Sequence, residues 1–168
     1  MGTEPALHRL VTRLEALAAV EAIETLKARY WRAVDRGCPQ DVEACLLPNA
    51  VIDFEGLPRF ETRNGFLAIV RAAAAGGQGY HMHHGHNPDI TLTDPDNAAG
   101  SWEVLYHGID IAVGTIVQMA GIYHDTYVRR DASWWIATTT MRRTSLIVQN
   151  VDAHNTPRVT VVGNGASQ

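Results

Sequence analysis

The chain has 168 residues, 46% hydrophobic and 19% charged, a size and balance that suit one globular domain over 1–168 with a sizeable core. Fourteen Lys and Arg against 18 Asp and Glu leave a net charge of −4, the wrong sign for a surface that gains affinity by neutralising phosphates, so no nucleic-acid partner is expected. No apolar run approaches the roughly 18 residues that cross a bilayer, and the stretch from Met1 to Ala6 has neither a signal-peptide nor a myristoylation pattern, so no membrane partner is expected.

From about His8 to Val34, apolar residues recur every three or four positions: Leu10, Leu14, Leu17, Val20, Ile23, Leu26, Tyr30 and Val34. That spacing predicts a long helix with one core-facing stripe. Asp35-Arg36-Gly37 closes it, Gly37 being suited to the left-handed conformation that ends helices. Pro39 fits the first turn of a short second helix, Pro39 to Leu46, and Pro48 is expected to stop it. Cys38 and Cys45 lack a Cys-x-x-Cys spacing and read as reduced thiols of a cytoplasmic protein.

Val51-Ile52-Asp53-Phe54 predicts a short strand and Gly56-Leu57-Pro58 the turn after it. A third helix is expected from Arg63 to Ala75, with Phe66, Ile69 and Val70 inward. Beyond it the chain becomes rich in Val, Ile, Thr, Trp and Tyr, breaking at Asp94-Pro95-Asp96-Asn97 and Arg130-Asp131-Ala132-Ser133. Four strands are predicted, at about 79–93, 98–110, 113–129 and 134–148. Helices first and long antiparallel strands after them predict an α+β fold, a curved antiparallel sheet wrapped around the long N-terminal helix with a cone-shaped cavity between. The core lies within about 10–148; in the tail, 149–168, the run Val159-Thr160-Val161-Val162 is expected to pack on a neighbour and the last residues to fray.

The chemistry-bearing stretch is Tyr80-His81-Met82-His83-His84-Gly85-His86-Asn87-Pro88-Asp89, four histidines within six residues. Imidazole changes charge near neutral pH, so such a cluster suits proton transfer or a metal. Alternation along a strand puts His81 and His83 on one face, His84 and His86 on the other. A metal site on His84 and His86 would need further ligands, with His107, His124 and Glu103 as candidates and no spacing that selects them. Proton transfer is the preferred reading.

The segments Ile23-Glu24-Thr25-Leu26-Lys27-Ala28-Arg29-Tyr30, Tyr30-Trp31-Arg32-Ala33-Val34-Asp35, Met82-His83-His84-Gly85-His86-Asn87-Pro88 and Tyr127-Val128-Arg129-Arg130-Asp131-Ala132-Ser133-Trp134 together resemble the SnoaL-like branch of the nuclear transport factor 2-like superfamily. Within it the chain looks most like the bile acid 7α-dehydratases, and more distantly like scytalone dehydratases and hexachlorocyclohexane dehydrochlorinases. The resemblance runs from about Leu14 to Ile147. It implies a cystatin-like α+β roll, a cone-shaped barrel enclosing a His–Asp dyad, with the histidine at His83 and the aspartate at Asp35. Physically, a carboxylate that accepts one ring N–H fixes the tautomer and leaves the other nitrogen as the base. The alternative for Asp35 is an exposed residue at the C-terminal end of a helix, where negative charge is mildly unfavourable, a cost that slightly favours a functional placement.

By the same resemblance Tyr30 faces the cavity and polarises or protonates a substrate oxygen, although it also continues the apolar stripe of its helix. Arg143 is placed to bind a substrate carboxylate or polarise a carbonyl; an exposed strand arginine is the alternative. Where the bile acid dehydratases carry an acidic residue on the second long strand this chain has Tyr106, so their proton relay does not carry over unchanged. Tyr30, Tyr106 or Tyr123 could serve as the acid, and Trp31, Trp102, Met119 and Phe54, if they line the cone, suit a flat apolar ring system. His81, His84 and His86 have no assigned role.

The expected function is therefore a lyase with no cofactor, a dehydratase of a hydroxylated polycyclic or steroid-like small molecule. An isomerase of the ketosteroid-isomerase kind, a polyketide-cyclase-like enzyme and a non-catalytic binding module are the alternatives. A homo-oligomer is expected, a trimer by resemblance, with a dimer as the other possibility.

Overall fold

The computed structural model describes residues 3–76 and 79–163. Helix α1 (Thr3–Asp35) starts earlier than predicted and runs for 33 residues. At 1.5 Å per residue that is a rod of about 50 Å, longer than the sheet can cover. Ile23, Leu26, Tyr30, Trp31 and Ala33 are buried, whereas Leu10, Leu14 and Leu17 stay 55%, 56% and 59% exposed. The predicted stripe thus faces the core only from about Ala19 onward, and the first turns of α1 project past the fold.

Gly37, at φ +59°, ends α1. Its N–H donates to the Val34 carbonyl at 2.9 Å and the Cys38 N–H to the Ala33 carbonyl at 2.9 Å, which satisfies carbonyls the helix leaves open. Helix α2 (Pro39–Glu43) begins on Pro39 as expected but is shorter than predicted. Strand β1 (Leu46–Phe54) takes over at Leu46, so Pro48 does not stop a helix: it sits inside a strand. The strand tolerates it because β1 is at the end of the sheet and its register against the neighbouring strand slips between Leu46 and Val51.

Helix α3 (Arg63–Gly76) buries Phe66, Leu67 and Val70. Then β2 (Gly79–Asp94), β3 (Asn97–Asp110), β4 (Thr115–Arg130) and β5 (Ser133–Val151) form an antiparallel meander. Both predicted turns are there. Asp94 accepts the Asp96 N–H at 2.8 Å and the Asn97 side-chain amide at 2.9 Å, while Asp131 and Ala132 take φ of +50° and +62°, the left-handed pair that suits a tight hairpin.

Strand β1 joins β5 in parallel, giving the order β1-β5-β4-β3-β2. The path does not close, so the expected barrel is an open, curved sheet; register slips at Ala120/Gly121 and Thr126/Tyr127 bend the β4–β5 pair. Strand β6 (Pro157–Gly163) pairs antiparallel with the last part of β5, the part that β1 leaves uncovered. The tail's apolar run is therefore tied to its own chain and remains exposed, with Val162 at 75%. The predicted fraying falls on 164–168, outside the described residues.

The core lies between the second half of α1, α3 and the concave sheet face, drawing on Leu46, Ile52, Trp102, Val104, Tyr127, Trp134 and Ile136. Among the described residues, no helix is long and apolar enough to cross a membrane.

Candidate active site

Where the end of α1 and the flank of α3 meet the concave face of the sheet, the side chains leave a cavity of about 450 Å³. Tyr30, Val34 and Asp35 enter it from α1, Phe66, Ile69 and Val70 from α3, and Phe54 from β1. The sheet contributes His81, His83, Tyr106, Met119, Tyr123 and Met141. Most of these are apolar, so the few polar groups act in a medium that strengthens their electrostatics.

Strand alternation holds along the start of β2. His81 and His83 reach the cavity, while His84 and Met82 lie on the other face, His84 Nε2 being 2.7 Å from the Met82 sulfur. Gly85 follows on the inner face for want of room: a Cβ there would lie 2.0 Å from the Trp31 ring. The His84 and His86 rings stack at 6.4 Å between centroids, but among the described residues no three His, Cys, Asp or Glu side chains converge as a metal would require.

Asp35 is the last residue of α1 and meets His83 twice. Its Oδ1 is 2.5 Å from His83 Nδ1, and its Oδ2 accepts the His83 backbone N–H at 3.0 Å. The paired contact holds both the ring and the strand against the helix end, with only 10% of the His83 side chain and 16% of that of Asp35 exposed. Partial burial pushes the Asp35 carboxyl up, but the hydrogen bonds from the His83 ring and backbone outweigh it and hold the group below its ordinary value. Ionised, Asp35 keeps the proton of neutral His83 on Nδ1 and leaves Nε2 as the basic nitrogen.

Three tyrosines border the same space. Tyr106, the direct cross-strand partner of His83, puts its ring 4.8 Å from the imidazole, and its hydroxyl is 2.7 Å from His81 Nδ1. Burial, reinforced by the nearby Asp35 charge, pushes the Tyr106 phenol up to about 12. Tyr30 and Tyr123 are almost fully buried, and desolvation raises both above the ordinary tyrosine value, so all three are protonated at neutral pH.

Phe54 and Met119 lie on the cavity wall. Trp31 and Trp102 do not: they pack edge to face at 5.4 Å within the core behind it, and Trp102 donates its indole N–H to the Tyr127 hydroxyl at 2.9 Å. Both wide rings fill the space between α1 and the sheet that a cavity wall would leave open. Arg143 is not on the wall either. Its guanidinium lies 3.2 Å from Glu55, which also accepts the Arg143 backbone N–H at 2.9 Å and so stays below the ordinary glutamate range. Glu55, not Arg143, borders the cavity.

Sequence reasoning passed over the polar pair beneath the cavity. Lys27 Nζ lies 2.6 Å from Asp125 Oδ2, both side chains having no exposed surface. The ammonium also sits 4.0 Å from the centre of the Tyr123 ring and 5.0 Å from that of Trp31, while Asp125 accepts the Tyr127 hydroxyl at 2.7 Å. Burial draws Lys27 below the ordinary lysine value against the pull of Asp125. The signal was present: Lys27 falls four residues after Ile23 and three before Tyr30, on the buried face, and Asp125 falls between the inward Tyr123 and Tyr127.

The fold is shared with known proteins. A hexachlorocyclohexane dehydrochlorinase, LinA-type3 from Novosphingobium barchaimii LL02, superposes with a TM-score of 0.72 at 21% identity, over 89% of this chain and 96% of that one. A scytalone dehydratase-like protein from Novosphingobium aromaticivorans superposes at 0.73 and 18% identity, over 92% and 98%. An NTF2-like protein with a cystatin-like fold, also from Novosphingobium aromaticivorans, gives 0.66 at 21% identity, over 80% and 88%. At such identities the likeness is one of fold. Residues 15–140, which carry both Asp35 and His83, match the model of the SnoaL-like domain, and the chain belongs to that family.

Proposed function

We propose that this protein is a lyase working without a cofactor, which removes water from a hydroxylated, fused-ring small molecule such as a hydroxy-ketosteroid. The observation that carries the reading is the His83–Asp35 pair, 2.5 Å between Nδ1 and Oδ1, at the wall of a mostly apolar cavity. Elimination needs a base at one carbon and an acid at the oxygen leaving its neighbour, out of contact with bulk water. His83 Nε2 takes the proton from the carbon next to a carbonyl, and Asp35 stabilises the imidazolium that forms. Tyr106, protonated and one strand over, delivers a proton to the departing oxygen, and Tyr30 and Tyr123 border the same cavity. Phe54, Phe66, Ile69 and Met119 suit an apolar ring system of the size the 450 Å³ cavity admits. Lyase names among the similar folds agree with this reading.

The test is a panel of β-hydroxy ketosteroids and smaller fused-ring β-hydroxy ketones incubated with the full chain and followed by mass. Loss of one water is the expected product. Conversion at unchanged mass would instead assign the site to an isomerase.

A further inference from the structure

The His81–Tyr106 contact is not needed to make His83 a base, yet the fold makes room for it twice. Tyr106 lies along its strand over Gly108, where a Cβ would come within 2.4 Å of the phenol oxygen. His81, opposite Gly108 in the register, folds back over Gly79, where a Cβ would lie 2.6 Å from Nε2. Neither glycine has a positive φ, so space is what each position provides. With side chains there, the phenol and imidazole could not lie flat along their strands and meet at 2.7 Å, their rings within 17° of parallel.

This contact answers a difficulty in the chemistry. A phenol raised to about 12 is a poor acid by itself, because the phenolate it leaves would sit in an apolar cavity facing Asp35. We propose that His81 is a positioning and proton-relay residue that acts through Tyr106. Its Nδ1–H rests on the phenol oxygen, turns the phenol hydrogen toward the cavity, and replaces that proton after Tyr106 has given it away. The inference rests on the lyase reading and deepens it, since it assigns the site to substrates whose leaving group needs protonation.

Each proton has a place in the cycle. The C–H proton passes to His83 Nε2 while its electron pair forms the new double bond, and the C–O bond breaks with its pair going to oxygen. Tyr106 protonates that oxygen, which leaves as water, and His81 passes its Nδ1 proton to the phenolate as its Nε2 takes one from solvent. His81 stays neutral, His83 ends charged, and the one proton the site has gained came from solvent. His81 is exposed where it borders the cavity, so once His83 has returned its proton to solvent, exchange with solvent restores the resting ring with its proton on Nδ1. The groups facing His81 are the Tyr106 hydroxyl from β3, the Asp35 carboxylate from α1 and, two residues along β2, His83.

Two measurements test this. In long-range 1H–15N spectra of the full chain, His81 is identified by the signals lost in His81→Gln. The neutral ring is expected to carry its proton on Nδ1, and to move it to Nε2 in Tyr106→Phe. A wild-type ring protonated on Nε2, with the phenol donating into Nδ1, overturns the proposal whether or not any substrate turns over. The second measurement compares two β-substituted fused-ring ketones that differ only in leaving group, hydroxyl or chloride. His81→Gln is expected to slow loss of hydroxyl about 100-fold, and loss of chloride at least about ten times less, because chloride departs without a proton. Equal slowing of both would remove the relay and leave the base reading intact. His83→Gln slows both if the lyase reading holds, and its failure to slow either would sink that reading separately.

Discussion

Asp35→Asn is expected to lower the rate of elimination by about 10³-fold while the chain still folds. The side chain keeps its shape, but its amide can donate to His83 Nδ1 and so favours the tautomer with the proton on Nε2, where the base is needed. No negative charge at Nδ1 would then stabilise the imidazolium. A pH signature accompanies the loss. The folded Asp35 titrates below its ordinary value of 3.8, so its stabilisation is complete above that value and is lost as pH falls through the lower folded one. Chemical denaturation from pH 5 down to pH 3 should therefore show a shallower decline of stability in Asp35→Asn than in the parent chain. A variant with unchanged turnover would mean that the carboxylate serves only to tie α1 to β2.

The largest effect on stability is expected at Lys27. Replacing it with Met keeps the length of the side chain but leaves the Asp125 carboxyl without surface exposure and without its cation. Breaking one side of a buried pair costs about 3–5 kcal/mol, which in a chain of this size lowers the melting temperature by roughly 10 °C. Tyr127 and Trp102 feel the change, because the Asp125 carboxylate anchors the Tyr127 hydroxyl and that hydroxyl accepts the Trp102 indole N–H. Adding Asp125→Leu removes the orphaned carboxyl, and the double variant should recover part of the loss. Urea denaturation of the two single variants and the double variant decides the matter. A Lys27→Met chain within about 1 kcal/mol of the parent would show that water or a neighbouring group already screens Asp125.

Much of this fold was legible because local signals and tertiary demands agree. Gly37 ends α1 where a left-handed residue was needed, and the Asp94 and Asp131 turns mark the hairpins. Alternation alone put His81 and His83 on one face. The misreadings share a cause, since each depended on which surface a residue would meet. Leu10, Leu14 and Leu17 have the spacing of core residues, but nothing in that spacing tells where the sheet stops covering the helix. Pro48 looked like a helix stop because an end strand with a register slip leaves the same local mark. Trp31 and Trp102 were aromatic and inward, and only packing separates a cavity wall from the core behind it.

The site shows the same division. Asp35 and His83, 48 residues apart, were paired by the family resemblance, and the end of α1 meeting the start of β2 is what brings them together. The reach of Tyr106 to His81 could not be read that way. It depends on two side chains lying along their strands over Gly108 and Gly79, a matter of rotamer and space that sequence spacing does not encode. Lys27 and Asp125 could have been found by asking why charges interrupt buried faces, since each sits at an inward position between aromatic or aliphatic neighbours.

The central claim is that the His83 imidazole takes the carbon-bound proton. It is tested most directly by the rate of water loss from a panel substrate with His83→Gln in place of the parent chain. The account predicts a fall of about 10²–10⁴-fold. Water loss at the parent rate by His83→Gln would contradict it.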